Sequence, residues 1–216
     1  MKKLITVLGL SLLLSACGVR VDIPPAHVGK IMTKDGYREG LIPTSKIRLD
    51  WCTVYCDSLV VLDVSDQAFS EPLEIFVPKD KLKMTVHVRA TLSVNPKKTE
   101  ELFNLITPTK NEDTGVAVIE SRKVYNTYAQ QIILSEVREY LSQYSIAEIA
   151  SSTELINNEL SIRLTKAIAE RTPFNVRHVG LTNIAYPAII VDAQENAAER
   201  REQIQQEEAQ LLISKV

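Results

Sequence analysis

Fourteen consecutive residues, Lys81 to Val94, alternate between polar and apolar side chains without a break. Leu82, Met84, Val86, Val88, Ala90, Leu92 and Val94 fall on one side; Lys81, Lys83, Thr85, His87, Arg89, Thr91 and Ser93 fall on the other. Successive side chains of a strand point to opposite faces, so the segment predicts a long strand with one buried and one wet face. His87 belongs to the wet face and reads as a solvated strand histidine. Val19 to Ile23 is a further strand, ended by Pro24-Pro25, which a central strand does not tolerate. Val28 to Met32 is another, closed by the turn signal Lys34-Asp35-Gly36. Leu59 to Val64 and Leu73 to Val77 complete a β-rich first part, residues 19 to 95.

After Asn95-Pro96 the period changes. Lys97 to Ile106 predicts a short helix, and the polar stretch Pro108 to Gly115 a loop. Val124, Tyr128, Ile132, Val137, Leu141 and Tyr144 recur at three-, four- and five-residue steps, the mark of an amphipathic helix, with Glu136, Arg138 and Glu139 facing water. Ser145-Ile146-Ala147-Glu148 has the form of a capping box opening another short helix. Thr153 is placed to cap a further helix whose inward row is Ile156, Leu160, Leu164 and Ala167 or Ile168; Thr172-Pro173 stops it. Phe174 to Ile184 returns to β character.

From Ala188 onward the chain is rich in Ala, Glu, Gln and Arg and contains neither Pro nor Gly. That composition favours a helix. Ile190, Ala197, Ile204 and Leu211 are spaced by seven, half of a heptad seam. The companion positions Ala193, Arg200 and Glu207 carry two charges, so a strong autonomous coiled coil is not expected. Two readings remain for this stripe: a solvated surface helix, or lateral packing against identical helices in an oligomer. The fold class expected from these patterns is α+β, with a β-rich part, a helical and αβ part, and an extended C-terminal helix.

The N-terminus adds an address. Lys2 and Lys3 precede an apolar run from Leu4 to Leu14, and Leu14-Ser15-Ala16-Cys17 ends it. A charged n-region, a short h-region and small residues before the cleavage point resemble a bacterial lipoprotein signal peptide. A membrane-spanning helix needs roughly 20 apolar residues, more than this run supplies. The expectation is a cleaved signal at residues 1–16, lipid on Cys17, and a lipidated terminus and linker at 17–23. Acyl chains contribute about 0.8 kcal/mol per buried CH₂, so several make a lasting anchor. Gly18 stands where an aspartate would resemble an inner-membrane retention signal, which favours the outer membrane, with the fold facing the periplasm or exterior. Losing Lys2 and Lys3 moves the formal charge from −2 to −4. A mildly acidic chain argues against nucleic acid as a partner, because phosphate binding needs clustered basic residues.

The remaining cysteines are Cys52 and Cys56. An oxidising compartment permits a disulfide between them. Residues four apart in a continuous strand lie about 13 Å apart. A disulfide needs Cα atoms within roughly 4.4–6.8 Å, so the bond requires a turn across Thr53-Val54-Tyr55. The alternative is two separate thiols on a β segment. His27, His87 and His178 are dispersed, and no metal site is expected. The sequence holds no Gly-x-Ser-x-Gly elbow, His-Glu-x-x-His pair or phosphate-binding glycine loop, so neither catalytic residues nor a cofactor are expected.

A series of local motifs then resembles one family. Val21-Asp22-Ile23-Pro24-Pro25-Ala26-His27-Val28-Gly29-Lys30-Ile31 resembles its opening strand, proline turn and glycine-valine strand. Gly40-Leu41-Ile42-Pro43 resembles the loop that follows. Asp80 before the long strand, Val137-Arg138-Glu139-Tyr140, Ser145-Ile146-Ala147-Glu148-Ile149 and Leu181-Thr182-Asn183-Ile184-Ala185-Tyr186-Pro187 continue the series in order. The chain is identified by them as resembling the SPFH or band 7 family of stomatins, prohibitins and flotillins. The resemblance implies a domain over residues 24–187, β-rich at 24–95 and αβ at 96–187, followed by a charged helix at 188–216. It also implies a non-catalytic scaffold that forms homo-oligomers at a membrane and organises membrane proteins or modulates a membrane protease. Pro78-Lys79 departs from the family pattern, and relatives usually use a membrane helix and a longer C-terminal helix. The competing reading is a monomeric lipoprotein that binds a ligand or an envelope polymer.

Overall fold

The computed structural model describes residues 18–50, 56–110 and 116–214. The elements in order are β1 (Gly18–Ile23), β2 (His27–Thr33), β3 (Gly36–Tyr37), β4 (Ser45–Asp50), β5 (Ser58–Asp63), β6 (Gln67–Val77), β7 (Leu82–Val94), α1 (Thr99–Leu105), β8 (Thr109–Lys110), β9 (Ala117–Ile119), α2 (Ser121–Tyr128), α3 (Gln130–Leu141), α4 (Ile146–Ser151), α5 (Thr153–Arg171), β10 (Phe174–Ala185) and α6 (Ala188–Ser214). The fold is α+β, as the patterns predict. The chain divides into two compact units. Among the described residues, one comprises 18–68, 91–133 and 166–177; the other comprises 69–90, 134–165 and 178–214.

The first unit is organised around β5. Leu59, Val60, Val61 and Leu62 are all buried, so this strand is covered on both faces, which is why its sequence is a continuous apolar run rather than an alternation. It sits mid-sheet in the order β3-β2-β5-β9-β8, antiparallel to β2 and parallel to β9. Leu59 and Val61 pack with Val21 and Ile23 of β1 and with Val116. β1 itself pairs with β4 in a separate two-stranded ribbon. Gly29 of β2 lies where the layers meet: a Cβ there would stand 2.6 Å from Ile23 Cδ1 and 3.0 Å from Leu59 Cδ1.

Lys30, opposite Val60 in the register, points to the other face and is buried. Its Nζ donates to Glu100 Oε1 of α1 at 2.6 Å, while Glu100 itself stays largely exposed. Tyr37 and Phe103 meet edge to face beside this pair, with ring centroids 5.6 Å apart. Helix α1 thus covers this face of the sheet through one ion pair and one aromatic contact.

In the second unit β7 is the middle strand of the order β10-β7-β6. Met84, Val86, Val88 and Ala90 are buried as their alternation predicts. The strand starts one residue later than the alternation, because Lys81 has φ +56 and belongs to the turn. Ile156, Leu160 and Leu164 form the buried row of α5.

Three other local expectations change, and one strand is added. The periodicity from Val124 to Tyr144 predicts one helix, and the structure divides it into α2 and α3 at the buried Ala129, with Tyr144 in the turn beyond. The hydrogen bonds Ala129 N–H to Tyr125 O and Ile133 N–H to Ala129 O run through the break, so the interruption is a local distortion of one helical path. Thr153 is the first residue of α5 rather than its cap. Its hydroxyl donates backward to the Ile149 carbonyl at 2.7 Å. Within the expected loop Pro108 to Gly115, Thr109–Lys110 forms β8 against β9; residues 111–115 lie outside the described residues. The short strand β4, with Ile47 and Leu49 half-buried between outward Lys46 and Arg48, has no strong sequence signal.

Two measurements check this packing. Gly29→Val should lower unfolding free energy by about 1–3 kcal/mol, the usual cost of overpacking, in urea denaturation. Lys30→Met should be neutral or stabilising, whereas Glu100→Gln should lower the thermal midpoint, because it leaves a buried ammonium without its carboxylate.

Candidate functional site

Three surfaces carry the groups that bear on function. The first is the ribbon β1–β4, which begins at Gly18, the residue after Cys17. Cys17 lies outside the described residues. Arg20 faces Arg48 directly across the ribbon, and Asp22 faces Lys46. Lys46 Nζ approaches Asp22 Oδ2 at 3.5 Å. Arg20 and Arg48 are exposed and side by side, an unfavourable like-charge pairing across a ribbon. An anion resting on this face would relieve it.

The second is the junction at the start of α4. The turn after β6 brings Lys79 and Asp80 to it. Asp80 Oδ2 accepts the Ile146 N–H at 2.6 Å. Ser145 Oγ accepts the Glu148 N–H, and Glu148 Oε2 accepts the Ser145 N–H, so the expected capping box is formed in both directions. Lys79 Nζ also donates to Glu148 Oε2 at 2.9 Å. The Ser145 backbone amide, then Lys79 and the Ser145 hydroxyl, hold the Glu148 carboxyl down at about 2 against an ordinary 4.5. Pro78-Lys79, where the family motif departs, therefore supplies a local tie of its own.

The third is helical. Two polar ties fix α3 against α5: Tyr140 Oη donates to Glu159 Oε2 at 2.6 Å, and Arg163 bridges Glu136 at 2.8 Å and Glu139 at 2.5 Å. Burial, then the bond to Glu159, raises the Tyr140 hydroxyl above its ordinary value. With that side of α5 engaged and its buried row inward, Leu155 and Ile162 are left on the far face, 62% and 72% exposed. They are seven residues apart, a signal present in the sequence but masked by the stronger buried row beside it. Helix α6 is exposed at every position from Val191 to Gln210. Of its expected stripe, Ile190 is half-buried, Ala197 is exposed and Ile204 is 55% exposed. Leu211 lies on the helix, with its side chain outside the described residues.

Cys56 is disulfide-bonded. Cys52, its expected partner, lies outside the described residues. His27 Nδ1 lies 2.9 Å from the Pro25 carbonyl. Among the described residues no cluster of three His, Cys, Asp or Glu could hold a metal ion. A groove of about 400 Å³ in the first unit is lined mainly by apolar groups such as Val28, Leu41 and Val94, with the Arg177–Asp66 ion pair, 3.1 Å, at its edge. Among the described residues no helix is long and apolar enough to cross a membrane.

The pH response of the α4 junction follows from Glu148. A carboxyl whose folded value is depressed adds stability above its unfolded value, and the gain is lost as pH falls from about 4.5 towards 2. Glu148→Gln should therefore flatten the acid limb of stability in that window. Urea midpoints for the two proteins at pH 7 and pH 3 measure it; equal losses on acidification would remove Glu148 from the account.

No curated protein matches the chain. A family profile, that of the SPFH domain / Band 7 family, matches residues 21–212. The match runs from β1 into α6, and it takes in the buried β5, the long β7, the capped α4 and the exposed terminal helix. Members of this family are membrane-associated and are generally non-catalytic scaffolds. The chain belongs to the SPFH domain / Band 7 family.

Proposed function

We propose that the chain is a lipid-anchored, extracytoplasmic, homo-oligomeric scaffold with no chemistry of its own, one that organises membrane proteins or modulates a membrane protease. Family membership over residues 21–212 is the observation that carries this reading. Lipid on Cys17 replaces the membrane helix that relatives usually carry. Because β1 begins at Gly18, the anchor leaves almost no slack, and the domain sits close to the bilayer. Arg20 and Arg48 then face a source of phosphate groups, which suits two adjacent guanidinium ions. Gly18 after the cysteine favours the outer membrane. In an oxidising compartment Cys56 pairs with Cys52. The exposed α6, with Ile190, Ala197, Ile204 and Leu211 on one stripe, is the surface on which subunits meet.

The anchor is tested by Cys17→Ser. The substituted protein should leave the membrane fraction or be mislocalised while still folded, and labelling with a radioactive fatty acid should be lost. Retention in the membrane, unchanged, would mean that residues 4–16 are the anchor instead.

A further inference from the structure

The oligomeric reading puts α6 at the contact and leaves open what it meets, and the exposed faces of α5 and α6 differ in what they can accept. Written as heptads, α6 has Ile190, Ala197, Ile204 and Leu211 at one seam position and Ala193, Arg200 and Glu207 at the other. In a parallel pair each seam position faces its own kind across the axis. Two copies of α6 packed in register would therefore set Arg200 against Arg200 and Glu207 against Glu207, both inside the seam. Each layer brings like charges together while removing water from them, which disfavours that pairing. The exposed face of α5 has the same spacing with a different content. Leu155 and Ile162 occupy one seam position, and Asn158 and Thr165 the other. All four are exposed.

We propose that this face of α5 receives α6 of a second copy of the chain, the two helices parallel and Ile162 opposite Ile204. The proposal rests on the oligomeric reading above and names its contact. In this register Leu155 meets Ala197 and Ile162 meets Ile204, so apolar layers match apolar layers. Asn158 meets Arg200 and Thr165 meets Glu207, so each charge in the seam faces a neutral hydrogen-bonding group. Glu154, exposed on the edge of α5 away from Glu159, stands across from Arg201 at the flanking positions where coiled coils place their ion pairs. The Arg163 and Tyr140 ties hold α5 by its opposite edge, so the face is presented on a fixed helix. The contact joins unlike surfaces, and every copy carries one of each. It therefore runs from copy to copy around a ring or is exchanged reciprocally within a pair.

Cysteine crosslinking of the full-length protein in its own membranes decides the matter. Ile162→Cys and Ile204→Cys are made separately, with different tags, and expressed singly and together. Opposed seam positions place Cα atoms within disulfide reach. Mild oxidation should yield a mixed-tag dimer when both variants are present, and no dimer from wild type or from either variant alone. Glu154→Arg should reduce the mixed dimer several-fold, and adding Arg201→Glu should restore it. A dimer from Ile204→Cys alone would mean that α6 packs on α6, and one from Ile162→Cys alone that α5 packs on α5; either result overturns the proposal. An amine-reactive crosslinker run in parallel separates the two levels. Oligomer ladders without the mixed cysteine dimer sink this contact alone. A strictly monomeric protein in both experiments sinks the oligomeric reading with it.

Discussion

The first unit depends on the complete burial of β5. Four successive apolar residues cannot be covered by one layer, because alternate side chains leave the strand in opposite directions. Leu59 and Val61 therefore require β1 on one side, and Val60 shares the other with Lys30, above which α1 lies. Two features that look unrelated in sequence follow from that demand. Gly29 is small because the β1 layer approaches closely over β2. Lys30 carries its charge through an apolar layer because its four-carbon stem fills space beside Val60 while the ammonium reaches Glu100. The stem does the packing and the ion pair prevents the charge from being stranded.

Polar ties in the second unit perform a different task. Asp80, Ser145 and Glu148 accept from backbone donors at the start of a helix too short to be stable by itself, and Lys79 holds Glu148 in place. Their partners lie 66 and 69 residues apart along the chain, so the turn after β6 and the start of α4 are fixed by each other. Tyr140, Glu159 and Arg163 do the same for α3 and α5. These contacts hold a helix in orientation more than they add to stability, since several of their members are half-exposed and screened. Orientation matters here because it determines which face of α5 is left over.

Local pattern was sufficient wherever one period and one buried face coincide. The alternation in β7, the apolar run of β5, the capping box at Ser145 and the buried row of α5 are all written in consecutive side chains. The break at Ala129 was not, because the hydrogen-bond ladder and the apolar spacing both continue through it. Thr153 followed the rule for a cap, yet the carbonyl of Ile149 lies one turn behind it and captures the hydroxyl. Strands β8 and β9 are two and three residues long and exist through pairing with each other and with β5, which no local window records. On the functional side, the exposed pair Leu155 and Ile162 was present in the sequence at heptad spacing. It is masked because Ile156, Leu160 and Leu164 give a stronger signal on the same helix.

The two stripes acquire meaning only together. A helix exposed at twenty consecutive positions has no packing within the chain over those positions, and most helical stability in proteins comes from packing an apolar face. Propensity from Ala, Glu, Gln and Arg keeps α6 helical but does not explain why Ile204 stands among them. A purely solvated helix gains nothing from an isoleucine at a seam position, whereas a helix that docks on another gains an apolar layer. Arg200 and Glu207 then act as selectors. They make the in-register pairing of α6 with itself unfavourable and leave the neutral Asn158 and Thr165 of α5 as better partners, so the same charges that weaken a symmetric coiled coil direct an asymmetric one. An unlike contact of which every copy carries both halves can pass from copy to copy, which suits the lateral assembly of the proposed membrane scaffold.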